Sequence, residues 1–279
     1  MMVRNNIAVL INTHERAREQ HTYKALRDGG YTGRVYFVVD DEDGQLSDYK
    51  ELYGDENVLV FNKREYLCDT FVNTEIWRSV LYARNASYTF ARVLGLDYFV
   101  LCDDDLTHLF YKLPKNGKLI SKQVTNFDEF LCTVTEVLRD AHMPYIGMVE
   151  SGAYFGGAND NVMGGFTWRS GHFWLIDAKY ERRFRGVMYE DRIFSDDSRT
   201  DRGYGCFLWC CETPAFKNSN QTGGMQSTYN DFGGTYVAAF FPVMAHPSYE
   251  SIVLDQNGFS ERRSATNADP KIISERWKK

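Results

Sequence analysis

The chain reads as an α/β protein in which a mostly parallel β-sheet is flanked by helices. Strand and helix signals alternate through the first hundred residues. The strands are near-continuous apolar runs, "NIAVLINT" (6–13), "GRVYFVVDDED" (33–43), "NVLVFNK" (57–63) and "DYFVLC" (97–102). Strands without a polar face are buried on both sides, as parallel strands under helices are. Such sheets bind ligands outside the carboxyl ends of their strands. Thr13, Asp40–Asp41 and Asp103–Asp105 stand at those ends and are expected to converge on one crevice.

Each element has its own signal. "REQHTYKALRDGGY" (18–31) predicts a helix stopped by Gly29–Gly30. In "TEIWRSVLYARNASYTFARVLGLD" (74–97), Ile76, Val80, Ala83, Ser87, Phe90, Ala91 and Leu94 recur on one helix face. This helix leads into the strand that carries the three aspartates. Beyond residue 110 "TNFDEFLCTVTEVLRDAHM" (125–143) is amphipathic. The glycine- and aromatic-rich stretch 150–179 has strand character in "GFTWRSGHFWLID" (165–177), and its aromatics Tyr154, Phe155, Phe166, Trp168 and Trp174 could stack a base or a sugar ring or could be core. No repeat or linker divides the chain, so 1–279 is expected to be a single domain, with residues 111–279 shaping a second binding surface.

At 279 residues, 43% hydrophobic and 15% aromatic, the chain can bury a sizeable core. No apolar run is long enough to span a membrane, and "MMVRNNIAVLINTHER" lacks the pattern of a signal peptide, so a cytoplasmic location is expected. The six cysteines are scattered, and "CFLWCC" (206–211) has the wrong spacing for structural zinc, which favours buried reduced thiols. A net charge of −6 argues against wholesale adhesion to nucleic acid but leaves room for a local basic face such as "KYERRFRG" (179–186) or the tail 260–279.

The stretch "YFVLCDDDLTHLF" (98–110) poses the chemical question. Three adjacent carboxylates repel one another unless a cation holds them. They form either a solvated acidic turn or a metal site. Asp103 and Asp105 are spaced to share one hard cation, manganese or magnesium, with a phosphate-bearing substrate completing its shell.

With these residues in place the region 6–110 resembles the nucleotide-sugar-binding half of GT-A-fold glycosyltransferases. The resemblance is carried by "INTHER" (Thr13, Arg16), "VVDDED" (Asp40, Asp41), "YARNASYTFARVLGLDYFVLCDDD" (Arg84, Asn85) and Asp103/Asp105, in that order. It implies a UDP-sugar donor contacted by Thr13, Arg16, Asp40, Asp41, Arg84, Asp103 and Asp104, and a divalent metal on Asp103 and Asp105. In "YEDRIFSDDSRTDRGYG" (189–205) it sets Asp196 or, better aligned, Asp197 where the family has its base, in an acidic pair preceding a helix. The same "FSDDS" would equally serve as a helix N-cap. In "FFPVMAHPSYES" (240–251), expected to be a strand end, His246 stands where a late histidine completes the family's metal or diphosphate site, with His108 as its competitor.

The chain is also similar in general appearance to the glycosyltransferases with which phages decorate hydroxymethylated bases in their DNA. That similarity implies 5-hydroxymethylcytosine as acceptor, with Arg182, Arg183 and Arg185 set to contact phosphates, and the host cytoplasm as location. The alternative acceptor is a glycan, protein or small molecule. A sugar nucleotidyltransferase would need a glycine-rich loop after the first strand, and "INTHERAREQ" has none. A non-catalytic binding module is the remaining alternative, and it would have no need of Asp103, Asp105 and Asp197 together.

Overall fold

The computed structural model describes residues 6–66, 68–72, 77, 80–116, 118–150, 171–201, 205–214, 234–247, 250–254 and 260–264. Nine strands form one sheet: β1 (Ile7–Asn12), β2 (Arg34–Asp40), β3 (Val58–Phe61), β4 (Tyr98–Asp103), β5 (Leu106–Lys115), β6 (Lys118–Gln123), β7 (Tyr145–Glu150), β8 (Phe173–Asp177) and β9 (Gly205–Pro214). Their order across the sheet is β3-β2-β1-β4-β8-β7-β9-β5-β6. The first four are parallel to one another. β8 runs antiparallel to β4 and to β7, whereas β9 is parallel to β7. A separate antiparallel ribbon pairs β10 (Glu250–Leu254) with β11 (Ser260–Ser264).

The helices are α1 (His21–Asp28), α2 (Leu46–Tyr53), α3 (Val80–Val93), α4 (Phe127–Asp140), α5 (Glu190–Asp201), α6 (Gly234–Ala238) and α7 (Phe240–Ala245). The two faces of the sheet follow from the alternation of side chains along each strand. Val9 and Ile11, Phe37 and Val39, and Val100 and Cys102 pack with Leu26 of α1, Tyr49 of α2 and Phe130, Leu131 and Val134 of α4. Ala8 and Leu10, Tyr36 and Val38, and Phe99 and Leu101 pack on the other face with Leu81 and Ala86 of α3, Phe184 and Phe194. Both faces are apolar because both are covered, and for that reason these strands carry no alternation of polarity in sequence.

Within the described residues the predicted strands β1 to β4 and helices α1, α3 and α4 form. Gly30 has φ +81°, and its amide donates to the Arg27 carbonyl, closing α1 as expected. Three expectations are corrected. "FFPVMA" is the short helix α7, not a strand, because Pro242 suits a first helical turn and forbids a ladder position. Trp174 is core, fully buried against Phe184 and Phe194, and is closed to a ligand's stacking. "FSDDS" is no N-cap, since α5 begins at Glu190 and runs straight through it. Tyr154, Phe155, Phe166 and Trp168 lie outside the described residues, as do 265–279 of the basic tail.

Candidate active site

The carboxyl ends of β1, β2 and β4 lie side by side through the registers Asn12↔Val38 and Asn12↔Asp103. The acidic turn after β4 is pinned from α1. Thr22 Oγ1 donates to the Asp103 carbonyl (2.6 Å) and accepts from the Leu106 amide (2.9 Å), while the Thr22 amide donates to the Asp104 carbonyl (3.0 Å). This clamp rules out a loose solvated turn. Asp104 and Asp105 are themselves buried.

The three aspartates have different surroundings. Asp104 turns into the protein, where Oδ2 accepts from Thr13 Oγ1 (2.6 Å) and Oδ1 from Arg16 Nη1 (2.9 Å). Thr13 is held in turn by Gln20 Nε2 (2.7 Å) and the Tyr49 hydroxyl (2.7 Å). Burial pushes the Asp104 carboxyl up to about 7, overriding Arg16 and Thr13, which pull it down. Thr13, Arg16 and Asp104, expected as donor contacts, are hydrogen-bonded to one another at the strand ends.

Asp103 is gripped from behind. Arg84 Nη2 donates to both of its oxygens at 3.1 Å, and His172 Nδ1 lies 2.9 Å from Oδ2. Burial opposes ionisation here, but the Arg84 and His172 charges win and hold the carboxyl below its usual range. Arg84 also donates to Glu190 Oε1 (2.8 Å) and the Gly171 carbonyl (3.0 Å), and its guanidinium lies over the Trp174 and Phe184 rings at 4.7 and 5.5 Å. Arg84, expected from sequence as a donor contact, has its side chain only 3% exposed and committed to this network. Its neighbour Asn85 exchanges two hydrogen bonds with the Phe184 backbone, at 3.0 and 2.8 Å, tying α3 to the segment that leads into α5.

Around β2, Asp40 meets Lys63 Nζ (3.1 Å) and His14 Nδ1 (2.8 Å), and His14 also approaches Asp43 Oδ2 (3.4 Å). Burial opposes ionisation of Asp40, yet His14 and Lys63 lower it to about 2. Asp41 is exposed beside it. The ligand atoms of His14, Asp40 and Asp43 lie within 4.8 Å of one another, close enough for an ion. Lys63 already supplies a cation there, and it also reaches Glu42 Oε2 at 2.9 Å. We therefore read the group as an ionic knot that fixes the end of β2.

Hydrogen bonds to Asp40 and then Asp43 raise the His14 imidazole from 6.5 to about 10. The stability it contributes is full below about pH 6.5 and is lost as pH rises through about 10. Because the side chain is 39% exposed, screening trims the effect. His14→Gln is expected to flatten the alkaline fall of the urea midpoint between pH 7 and 10. A wild-type midpoint as flat as the variant's would remove the knot.

The acidic pair that opens a helix is Glu190–Asp191, not Asp196–Asp197, which lie within α5. Asp196 is buried. Asp197 accepts from Arg185 Nε (2.8 Å) and Nη2 (2.7 Å), with His246 Nε2 at 3.1 Å and Arg182 Nη1 at 4.0 Å. Against the pull of burial, Arg185 and His246 hold its carboxyl low. The late histidine and the expected base, read from sequence as parts of two devices, therefore meet each other. His108, the competitor, stacks on Phe110 at 5.6 Å. The sequence reading missed Glu190 and His172, the two residues that reach Arg84 and Asp103. Burial raises the Glu190 carboxyl to about 7 despite Arg84.

This sheet, with its acidic turn at the strand ends, is a GT-A-type fold, and the protein is a glycosyltransferase. The profile of the TET-Associated Glycosyltransferase family matches residues 7–195, and the chain belongs to that family. Glucosyl-3-phosphoglycerate synthase from Mycobacterium tuberculosis, solved with Mn2+, UDP-glucose and phosphoglyceric acid, is similar over 94% of this chain and 86% of its own at 11% identity and TM-score 0.50. S. aureus TarS 1–349 in complex with UDP-GlcNAc matches 84% of this chain and 66% of its own at 13% identity and TM-score 0.45. No curated protein gives a significant sequence match. No helix among the described residues is long and apolar enough to cross a membrane.

Proposed function

We propose that this glycosyltransferase moves a sugar from a UDP-sugar to the hydroxyl of 5-hydroxymethylcytosine in DNA, with manganese or magnesium at the Asp103–Asp105 turn. The observation that carries the donor side is the convergence of the β1, β2 and β4 ends on a braced acidic turn in a chain of this family. The synthase of similar fold was solved with Mn2+ and UDP-glucose, which supports the same pairing here. The residues fit such an ion, since carboxylate and imidazole donors suit hard divalent cations that keep several substrate and water oxygens. When bound, the ion would offset the charge that builds on the departing diphosphate.

The chain's own groups have separate tasks in this reading. Residues 1–110 bind the donor and 111–279 the acceptor. Arg84 holds Asp103 in one orientation, so that no reorganisation is needed when the donor arrives. Asp41, exposed beside the knotted Asp40, meets the base or ribose. A carboxylate of α5 takes the proton from the attacking hydroxyl. By the criterion of an acidic pair opening a helix this is Asp191, only partly buried and next to Glu190; Asp197 is the alternative, once Arg185 turns away from it.

The family's association with TET and the resemblance to phage enzymes support the DNA acceptor. Arg182, Arg183 and Arg185 would meet its phosphates, and the base would be flipped out of the duplex to reach α5. A cytoplasmic location goes with that substrate. The test is mass spectrometry of nucleosides after incubation with manganese, a panel of UDP-sugars and duplex DNA carrying cytosine or 5-hydroxymethylcytosine. A sugar-sized gain on the modified base alone is the expected result. Gain on neither, with slow metal-dependent hydrolysis of a donor, would remove DNA and leave a glycan, protein or small-molecule acceptor.

A further inference from the structure

We propose that the tip of the β5–β6 hairpin is a duplex-binding ribbon, which lies in the major groove of the acceptor DNA with its lysines on the flanking phosphates. The inference rests on the DNA-acceptor reading above and adds the surface that would hold the duplex. The hairpin protrudes. β5 is laddered to β9 from Leu106 to Tyr111, and among the described residues its outer part, Lys112 to Lys115, pairs with β6 alone, in the register Lys112↔Ser121 to Lys115↔Lys118. β6 is the last strand of the sheet. The ribbon starts from the site itself, since Leu106 follows Asp105 directly. At about 3.3 Å per residue its tip is within about 30 Å of the acidic turn. One turn of duplex spans about 34 Å, so DNA with a base in the site extends past the tip.

The ribbon's chemistry suits a polyanion. From Leu106 to Phe127 there is no acidic residue, while Lys112, Lys115, Lys118 and Lys122 fall on both strands, in a chain whose net charge is −6. Lys115 and Lys122 are exposed, and neither makes an ion pair among the described residues. The register sets Lys115 opposite Lys118, an arrangement that costs stability unless an anion answers it. Lysines on an edge strand also keep a sheet from pairing with another chain, but Lys112 and Lys115 belong to β5, which is an inner strand. Between the charged positions Leu113 and Ile120 lie directly opposite each other, 37% and 39% exposed. A two-stranded ribbon fits a major groove about 12 Å wide, where apolar side chains meet thymine methyl groups and ammonium groups meet phosphates.

The test begins with a lysine-acetylation footprint of the full wild-type chain, alone and with a duplex carrying 5-hydroxymethylcytosine, read by mass spectrometry. The duplex is expected to protect Lys115 and Lys122, while the exposed Lys24 of α1 and Lys50 of α2 react as before. Fluorescence anisotropy of the labelled duplex across a salt series then counts the contacts. Each lost phosphate contact lowers the slope of log K against log salt by about 0.9, so Lys115→Gln/Lys122→Gln should lower it by about 2. Lys24→Gln/Lys50→Gln, with the same change of charge, should not. A duplex that binds without protecting Lys115 and Lys122, or equal slopes in the two doubles, would overturn the ribbon and leave the DNA acceptor standing. Protection by phosphatidylserine vesicles and not by the duplex would replace it with a membrane surface. A wild type that neither binds the duplex nor adds sugar to it would remove the DNA reading and the ribbon together. The footprint needs no variant, so a misfolded double cannot shield the proposal.

Discussion

Arg84→Ala is expected to destabilise the protein by about 3–5 kcal/mol, the usual consequence of stripping a partner from a buried ionic network. The guanidinium meets Asp103, Glu190 and the Gly171 carbonyl at once, between the Trp174 and Phe184 rings. Alanine would leave the buried Glu190 and the partly buried Asp103 without the cation that bridges them, and a carbonyl without its donor. For a chain of this size the loss amounts to a fall in melting temperature of roughly 10 °C.

Two companions sharpen the measurement. Arg84→Lys should recover little, because an ammonium cannot reach three acceptors as the planar guanidinium does. Glu190→Gln should be mild, since an amide keeps the hydrogen bond and removes a charge that burial already disfavours. The Arg84→Ala deficit should also narrow as pH falls. The orphaned carboxylates then bind protons more tightly in the folded than in the unfolded state, and lower pH favours the proton-binding form. Urea unfolding at neutral and acid pH checks both points. A loss under about 1 kcal/mol at neutral pH would mean that the network does not hold the site.

What the sequence disclosed and what it withheld divide along physical lines. Strands β1 to β4 were legible because unbroken apolar runs admit few other readings, and a strand ending in acid at the carboxyl edge of a parallel sheet already places a site. The hairpin β5–β6 was passed over. Its signal was the Asn116–Gly117 dipeptide between the paired Lys115 and Lys118, with Asn116 at φ +52°. Asn-Gly favours the left-handed backbone of a two-residue turn.

The candidate site was legible as a list of residue types and not as a set of partners. Arg84 and Asp103 were both singled out, but their contact depends on α3 lying against the end of β4, and local pattern does not encode that. His172 sits just before an aromatic strand and has no motif around it; only the register of β8 against β4 brings it to Asp103. The start of α5 was misjudged by several residues because "SDDS" is an attractive cap. The first residue whose side chain is spoken for is Glu190, and its partner is on another helix.

That misjudgement bears on which carboxylate does the chemistry. Asp191→Asn is expected to lower kcat by about 10²–10⁴-fold, the range for loss of a general base, with donor binding unchanged. Asp191 lies in the first turn of α5, next to Glu190 and close enough to Arg84 to feel its charge, and it is only partly buried. Asp197 is in the opposite situation. Its oxygens are taken by Arg185 and His246, and a carboxyl whose affinity for protons has been lowered is a weak base. Asp197→Asn should therefore be felt first in stability, since it leaves Arg185 and His246 without their shared anion. Single-turnover rates with donor and acceptor saturating, taken with the urea midpoints of both variants, separate the two roles. A large rate loss in Asp197→Asn at near-native stability, with Asp191→Asn close to wild type, would return the base to Asp197. Arg185 would then have to leave that carboxylate when the acceptor binds, and Arg185→Ala should raise the pH at which the rate reaches half its plateau.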